Sequence, residues 1–177
     1  MQSNLKLSIS ALLFTFAVQF AASQTVSLTN PAKDGTAPLA PQHFVCNTGY
    51  SVQQCHQQMS VLRPLLDKYG AARLGDWTWV LVKSEDWKRM QQTHGLDPDS
   101  PAFSVLNRRE TFFEEALLSP VTERRVELIR QWSLSMDDLL NLAVTHELGH
   151  ALCNERNEKK ADAYGEQLRN DIALVCK

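Results

Sequence analysis

A chain of 177 residues with 44% hydrophobic and 21% charged side chains has the make-up of one ordinary globular domain, which excludes a disordered or fibrous protein. Its formal net charge of −2 offers no basic surface for nucleic acid or anionic lipid.

The first 23 residues differ from the rest. Lys6 is their only charged side chain, Leu7 to Phe20 is mostly apolar, and Ala21-Ala22-Ser23 closes the run with small residues. That order is the pattern of a secretory signal peptide, with cleavage expected before Gln24. Ser8, Ser10, Thr15 and Gln19 interrupt the apolar stretch, whereas a bilayer span needs about 20 apolar residues in a row, so no stable membrane anchor is expected. Export places Cys46, Cys55, Cys153 and Cys176 in an oxidising compartment, where an even count favours two disulfides. Of the three possible pairings, Cys46 with Cys55 and Cys153 with Cys176 is preferred, because it closes one short loop and clamps the C-terminal region.

Residues 24–45 are polar and carry Pro31, Pro38 and Pro41, so a flexible N-terminal arm with little order is expected ahead of a domain over 46–177. From Val52 to Tyr69 apolar residues recur in steps of three and four, predicting an amphipathic helix that carries Pro64 and stops at Gly70. Trp77 to Val82 is apolar on both alternating sets, as a buried strand requires. Ser84 is the expected N-cap of a short helix closed by Gly95, with His94 in its last turn. Ala102 to Leu106 and Thr111 to Phe113 are expected to pair across Asn107; beyond Phe113 helix and strand are equally supported. Ser119-Pro120 opens an expected helix over 120–132 with Val126, Ile129 and Trp132 on one face, while Arg124 and Arg125 have the pattern of a solvated face. Ser135 and Asp138 resemble a capping box for a helix whose Leu140, Val144, Leu148 and Leu152 form a core stripe. Asn154 ends that helix, and another runs from Asn157 or Glu158 to about Arg169. The sum is an α+β domain with a small sheet and a C-terminal helical hairpin.

The chemistry lies in His146-Glu147-Leu148-Gly149-His150. Histidines four apart on a helix project from one face, so both rings can converge on a single Zn²⁺, and Glu147 sits on the neighbouring flank, placed to take a proton from the ion's water. In this arrangement zinc lowers the pKa of that water to about 7 and polarises a scissile carbonyl. At this composition the pattern arises by chance about 0.01 times in a chain of this length, so coincidence is a poor explanation. The helix already has an apolar face to pack, which leaves the histidines without a packing role.

Seven residues after His150 the run Asn157-Glu158-Lys159-Lys160-Ala161-Asp162 places two acids four apart on one helical face. With the histidine motif before it, this resembles the gluzincin zinc metallopeptidases, the thermolysin-like group, over His146 to Asp162. The resemblance implies a zincin-like domain and one Zn²⁺ held by His146, His150 and Glu158. It also implies Glu147 as general base and Asp162 as the partner of a ligand histidine. It departs from thermolysin-like enzymes in the shortness of the segment between the two motifs, Ala151 to Asn157, which demands a tight hairpin. In an antiparallel hairpin Glu158 faces His150, while Asp162, one turn of about 5.4 Å deeper, faces His146. The metzincin pattern fails, because Cys153 and Arg156 stand where its glycine and third histidine belong.

The expected function is therefore that of an exported zinc-dependent hydrolase, a metallopeptidase acting on a peptide or protein. The alternative is a non-catalytic zinc-binding module or an inactive zincin relative. Structural zinc sites close with four protein ligands, and three ligands leave one position open. Tyr164 lies about 200° around its helix from Asp162, which favours a packing role over an oxyanion role. His94 is expected to favour the helix dipole, and His43 and His56 have no partner at ligand spacing. Natural substrate and oligomeric state leave no trace in the sequence.

Overall fold

The computed structural model describes residues 24–26, 42–96, 99–120 and 122–177, so the expected signal peptide and most of the expected arm lie outside the described residues. Five strands form one mixed sheet: β1 (Gln24–Val26), β2 (His43–Cys46), β3 (Thr78–Val82), β4 (Ala102–Val105) and β5 (Glu110–Glu114), in the order β1-β2-β3-β5-β4. β2, β3 and β5 run parallel, and β1 and β4 pair antiparallel at the two edges. The arm expected over 24–45 thus supplies strand at both of its described ends. A segment with few apolar residues is ordered there because its backbone groups complete a ladder, a tertiary contribution that local composition does not register.

Six α-helices are described: α1 (Val52–Lys68), α2 (Ser84–His94), α3 (Glu115–Leu118), α4 (Glu123–Trp132), α5 (Met136–Cys153) and α6 (Glu158–Arg169). The fold is α+β. Trp79 and Leu81 of β3 point into the main core with Phe44, Phe113 and the apolar faces of α1 and α5. Val80 and Val82 point the other way, into a smaller cluster with Trp87 of α2, Phe103 and Phe112. Both faces of β3 are covered, which is why both alternating residue sets are apolar.

Caps set several boundaries. Ser51 and Gln54 form a reciprocal capping box at α1, and Ser135 accepts from the Asp138 N–H at α5. Lys83, not Ser84, is the N-cap of α2; the nearby Glu115 carboxylate accepts from the Ser84 N–H instead. The helix expected from Pro120 starts at Glu123, because the Thr122 hydroxyl accepts from the Arg125 N–H and fixes the start there. Its buried residues are Arg125 and Leu128, and Ile129 packs partly buried against the core as expected, while the exposed Val126 and Trp132 correct the rest of the expected apolar face. Arg124 and Arg125 are likewise not a solvated face: Arg124 pairs with the buried Glu114, and Arg125 donates to the Ser119 carbonyl at 2.5 Å. Burial pushes the Glu114 carboxyl above its usual range, and Arg124 pulls against that rise.

The cysteines pair as Cys46–Cys55 and Cys153–Cys176. The first ties the end of β2 to the first turn of α1; the second ties the chain end to the last turn of α5. Titration of the native protein with a thiol reagent is expected to find no free thiol, and two or more titratable thiols would contradict both bridges. Among the described residues no helix is long and apolar enough to cross a membrane.

Candidate metal centre

α5 and α6 form the tight hairpin that the short connection demands. Asn154 turns the chain in the left-handed region at φ 48°, and the Asn157 side chain accepts from the Lys160 N–H to start α6. Two glycines then let the helices approach to backbone contact. A Cβ at Gly149 would stand 2.5 Å from the Ala161 carbonyl oxygen, and one at Gly165 would stand 2.9 Å from the Thr145 carbonyl oxygen. Glycine in a helix interior costs about 0.5–1 kcal/mol relative to alanine, and here that cost is offset by the approach it permits. Gly149→Ala meets backbone rather than a rotatable side chain. It is expected to lower stability by about 1–3 kcal/mol and to weaken metal binding by prying α6 away. Thermal melting and a zinc titration check this; a variant more stable than the parent, with unchanged zinc affinity, would refute the close-approach role.

The hairpin gathers the site. His146 Nδ1 donates to Asp162 Oδ1 at 2.7 Å, and His150 Nδ1 donates to the Glu155 carbonyl at 2.7 Å. With Nδ1 of each ring turned to these outer acceptors, both Nε2 atoms face inward. Those atoms face each other at 3.0 Å. Glu158 Oε2 lies 3.1 Å from His146 Nε2 and 3.4 Å from His150 Nε2, so it sits between the two rings rather than opposite His150 alone. A shared proton or a metal ion held among the three satisfies contacts this short. Tetrahedral ligands about 2.0–2.1 Å from a zinc ion stand roughly 3.3–3.4 Å from one another, close to the separations here. The residues present therefore fit a divalent metal ion, with His146, His150 and Glu158 as its ligands and no fourth protein donor in the group. No protein-family model, curated protein or solved structure matches the chain. The reading of the site therefore rests on the geometry of these side chains.

Glu147 is buried and lines the same cleft as His146, His150 and Glu158, a cavity of about 810 Å³. Burial pushes its carboxyl up to about 7, against the pull of the His150 imidazole and the Ser104 hydroxyl; nearby Glu158 adds to the rise. A carboxyl near neutrality is suited to taking and returning a proton. Leu96, Leu106, Trp132 and Leu142 line the apolar part of the same cleft, and strand β4 runs along it.

The other sequence candidates fall outside the ligand set. The Tyr164 hydroxyl exchanges hydrogen bonds with the backbone of Lys177, which makes it a packing residue that seats the chain end. His94 lies against Phe103 and Phe112, with ring centroids at 5.4 and 5.9 Å, so aromatic packing accounts for it beyond the expected dipole contact. His43 in β2 and His56 on the exposed side of α1 do not line the cleft. Sequence reasoning missed Ser104, whose hydroxyl donates to Glu147 Oε2 at 2.7 Å from a strand 43 residues away. No local pattern marks such a contact. Gly149 and Gly165 did carry a signal, since an isolated glycine within a helical pattern usually has a packing reason.

Proposed function

We propose that the protein is a metal-dependent hydrolase, with zinc as the metal and peptide bonds as the target. The observation that carries this reading is the convergence of two histidine Nε2 atoms and one carboxylate beside a buried, separately held glutamate. A zinc ion held there supplies a Lewis acid that acidifies water and polarises a carbonyl.

The remaining work falls to the chain. Asp162 and the Glu155 carbonyl hold the two imidazoles in the tautomer that presents Nε2, as outer partners of metal-binding histidines do. Glu147, which is outside the ligand set, takes a proton from the attacking water and delivers it to the leaving amine. Support for a peptide comes from β4, an edge strand that lines the cleft, because extended chains bind by adding to a sheet edge through main-chain hydrogen bonds. Leu96 and Trp132, large apolar residues that are 38% and 43% exposed, flank the cleft, where a substrate side chain would cover them. Two disulfides fit export to an oxidising compartment.

The test is hydrolysis of a mixed peptide library by purified protein before chelation, after it, and after one equivalent of zinc is returned. Cleavage that disappears and returns with zinc supports the reading. A protein that holds zinc stoichiometrically and cleaves nothing is a binding module, and the proposal is then wrong.

A further inference from the structure

A buried hydrogen-bond chain reaches Glu147 across the face of the sheet that α5 covers. The Trp77 indole N–H donates to Thr111 Oγ1 at 2.9 Å, Thr111 Oγ1 lies 2.8 Å from Ser104 Oγ, and Ser104 Oγ donates to Glu147 Oε2 at 2.7 Å. The four residues come from separate places: the approach to β3, then β5, β4 and α5. Trp77, Thr111 and Glu147 are buried, with exposures of 4%, 0% and 3%.

The proton order in this chain follows from chemistry. An indole N–H only donates, and in its ionised form the Glu147 carboxylate only accepts. Ser104 has one proton and gives it to Glu147, so the Thr111 proton must go to Ser104. Every donor then points toward Glu147.

We propose that Ser104 is a positioning residue: it fixes Glu147 Oε2 as the end of a one-way hydrogen-bond chain and leaves Oε1 as the oxygen that takes and returns the proton in the cleft. The catalytic part of this statement rests on the reading of Glu147 as the general base. The chain begins at an indole that keeps its proton, so no proton leaves along it. A proton taken by Oε1 returns to the cleft side, where the leaving amine is.

Ser104→Ala removes the last link, and Ser104→Thr keeps a hydroxyl in place. In the full-length protein, kcat is expected to fall about 10–100-fold in Ser104→Ala with KM within about twofold, because a carboxylate held by one anchor fewer is misplaced for proton transfer. Zinc affinity should stay at the parent value, and Ser104→Thr should recover most of kcat.

A second readout needs neither metal nor substrate. The chain has four tryptophans, so a ¹H–¹⁵N spectrum shows few indole N–H signals, and Trp77→Phe identifies the one of interest. That signal is expected to move in Ser104→Ala and in Glu147→Gln and to return toward its parent position in Ser104→Thr. A Trp77 signal unmoved by both of the first two variants would overturn the chain. A parallel loss of zinc binding and kcat in Ser104→Ala would overturn the positioning role. If the parent protein hydrolyses nothing, the proposed function fails, and the Trp77 signal still decides whether the chain exists.

Discussion

Glu158→Ala is expected to emerge metal-free under conditions where Asp162→Ala still holds zinc. Glu158 Oε2 lies within 3.4 Å of both Nε2 atoms, so its loss leaves two donors where three converge. Asp162 touches only the remote nitrogen of His146, at 2.7 Å, and its loss frees that ring to turn without removing a ligand atom. Losing an outer partner of this kind typically costs about 10–100-fold in metal affinity or activity, whereas losing a ligand from a three-residue site abolishes tight binding. A competition titration with a zinc chelator of known affinity ranks the variants. The reverse order would exchange the two roles, and parent-like affinity in both would remove α6 from the site.

Glu147→Gln is expected to keep zinc near one equivalent per chain and lose hydrolysis by at least about 100-fold, the scale of a positioned general base. The substitution preserves volume in a site that is 3% exposed, and the amide oxygen can still accept from Ser104. Folding and metal content should therefore match the parent. What changes is the capacity to take a proton. Hydrolysis at the parent rate in this variant would show that another group acts as base.

The C-terminal third of the chain was largely legible in its sequence, and for local reasons. Ser135, Asn154 and Asn157 cap or end helices through contacts that span a few residues, so the α5–α6 hairpin follows from positions close together in the chain. The histidines and the two acids lie within 17 residues, and helix periodicity alone brings them to facing surfaces. The same logic misplaced some nearby contacts and missed the remote ones. Thr122 displaced Pro120 as the start of α4, since a side-chain cap outweighs a fixed φ. Arg125 is buried despite its charge, with the Ser119 carbonyl as a partner that no periodicity reveals. The order at 24–26 and 43–46 comes from sheet pairing, and Ser104 reaches Glu147 only because β4 lies against α5. Local rules therefore located the His146, His150 and Glu158 group, while the contact that holds Glu147 depends on the fold.

X-ray absorption at the zinc edge, on protein carrying one equivalent of zinc, reads the donor set directly. Nitrogen and oxygen neighbours at about 2.0–2.1 Å, with the scattering of two imidazoles and no sulfur, are the outcome that His146, His150 and Glu158 require. Sulfur at about 2.3 Å, or a shell without two imidazoles, would mean that zinc binds elsewhere and that this hairpin is not a metal centre.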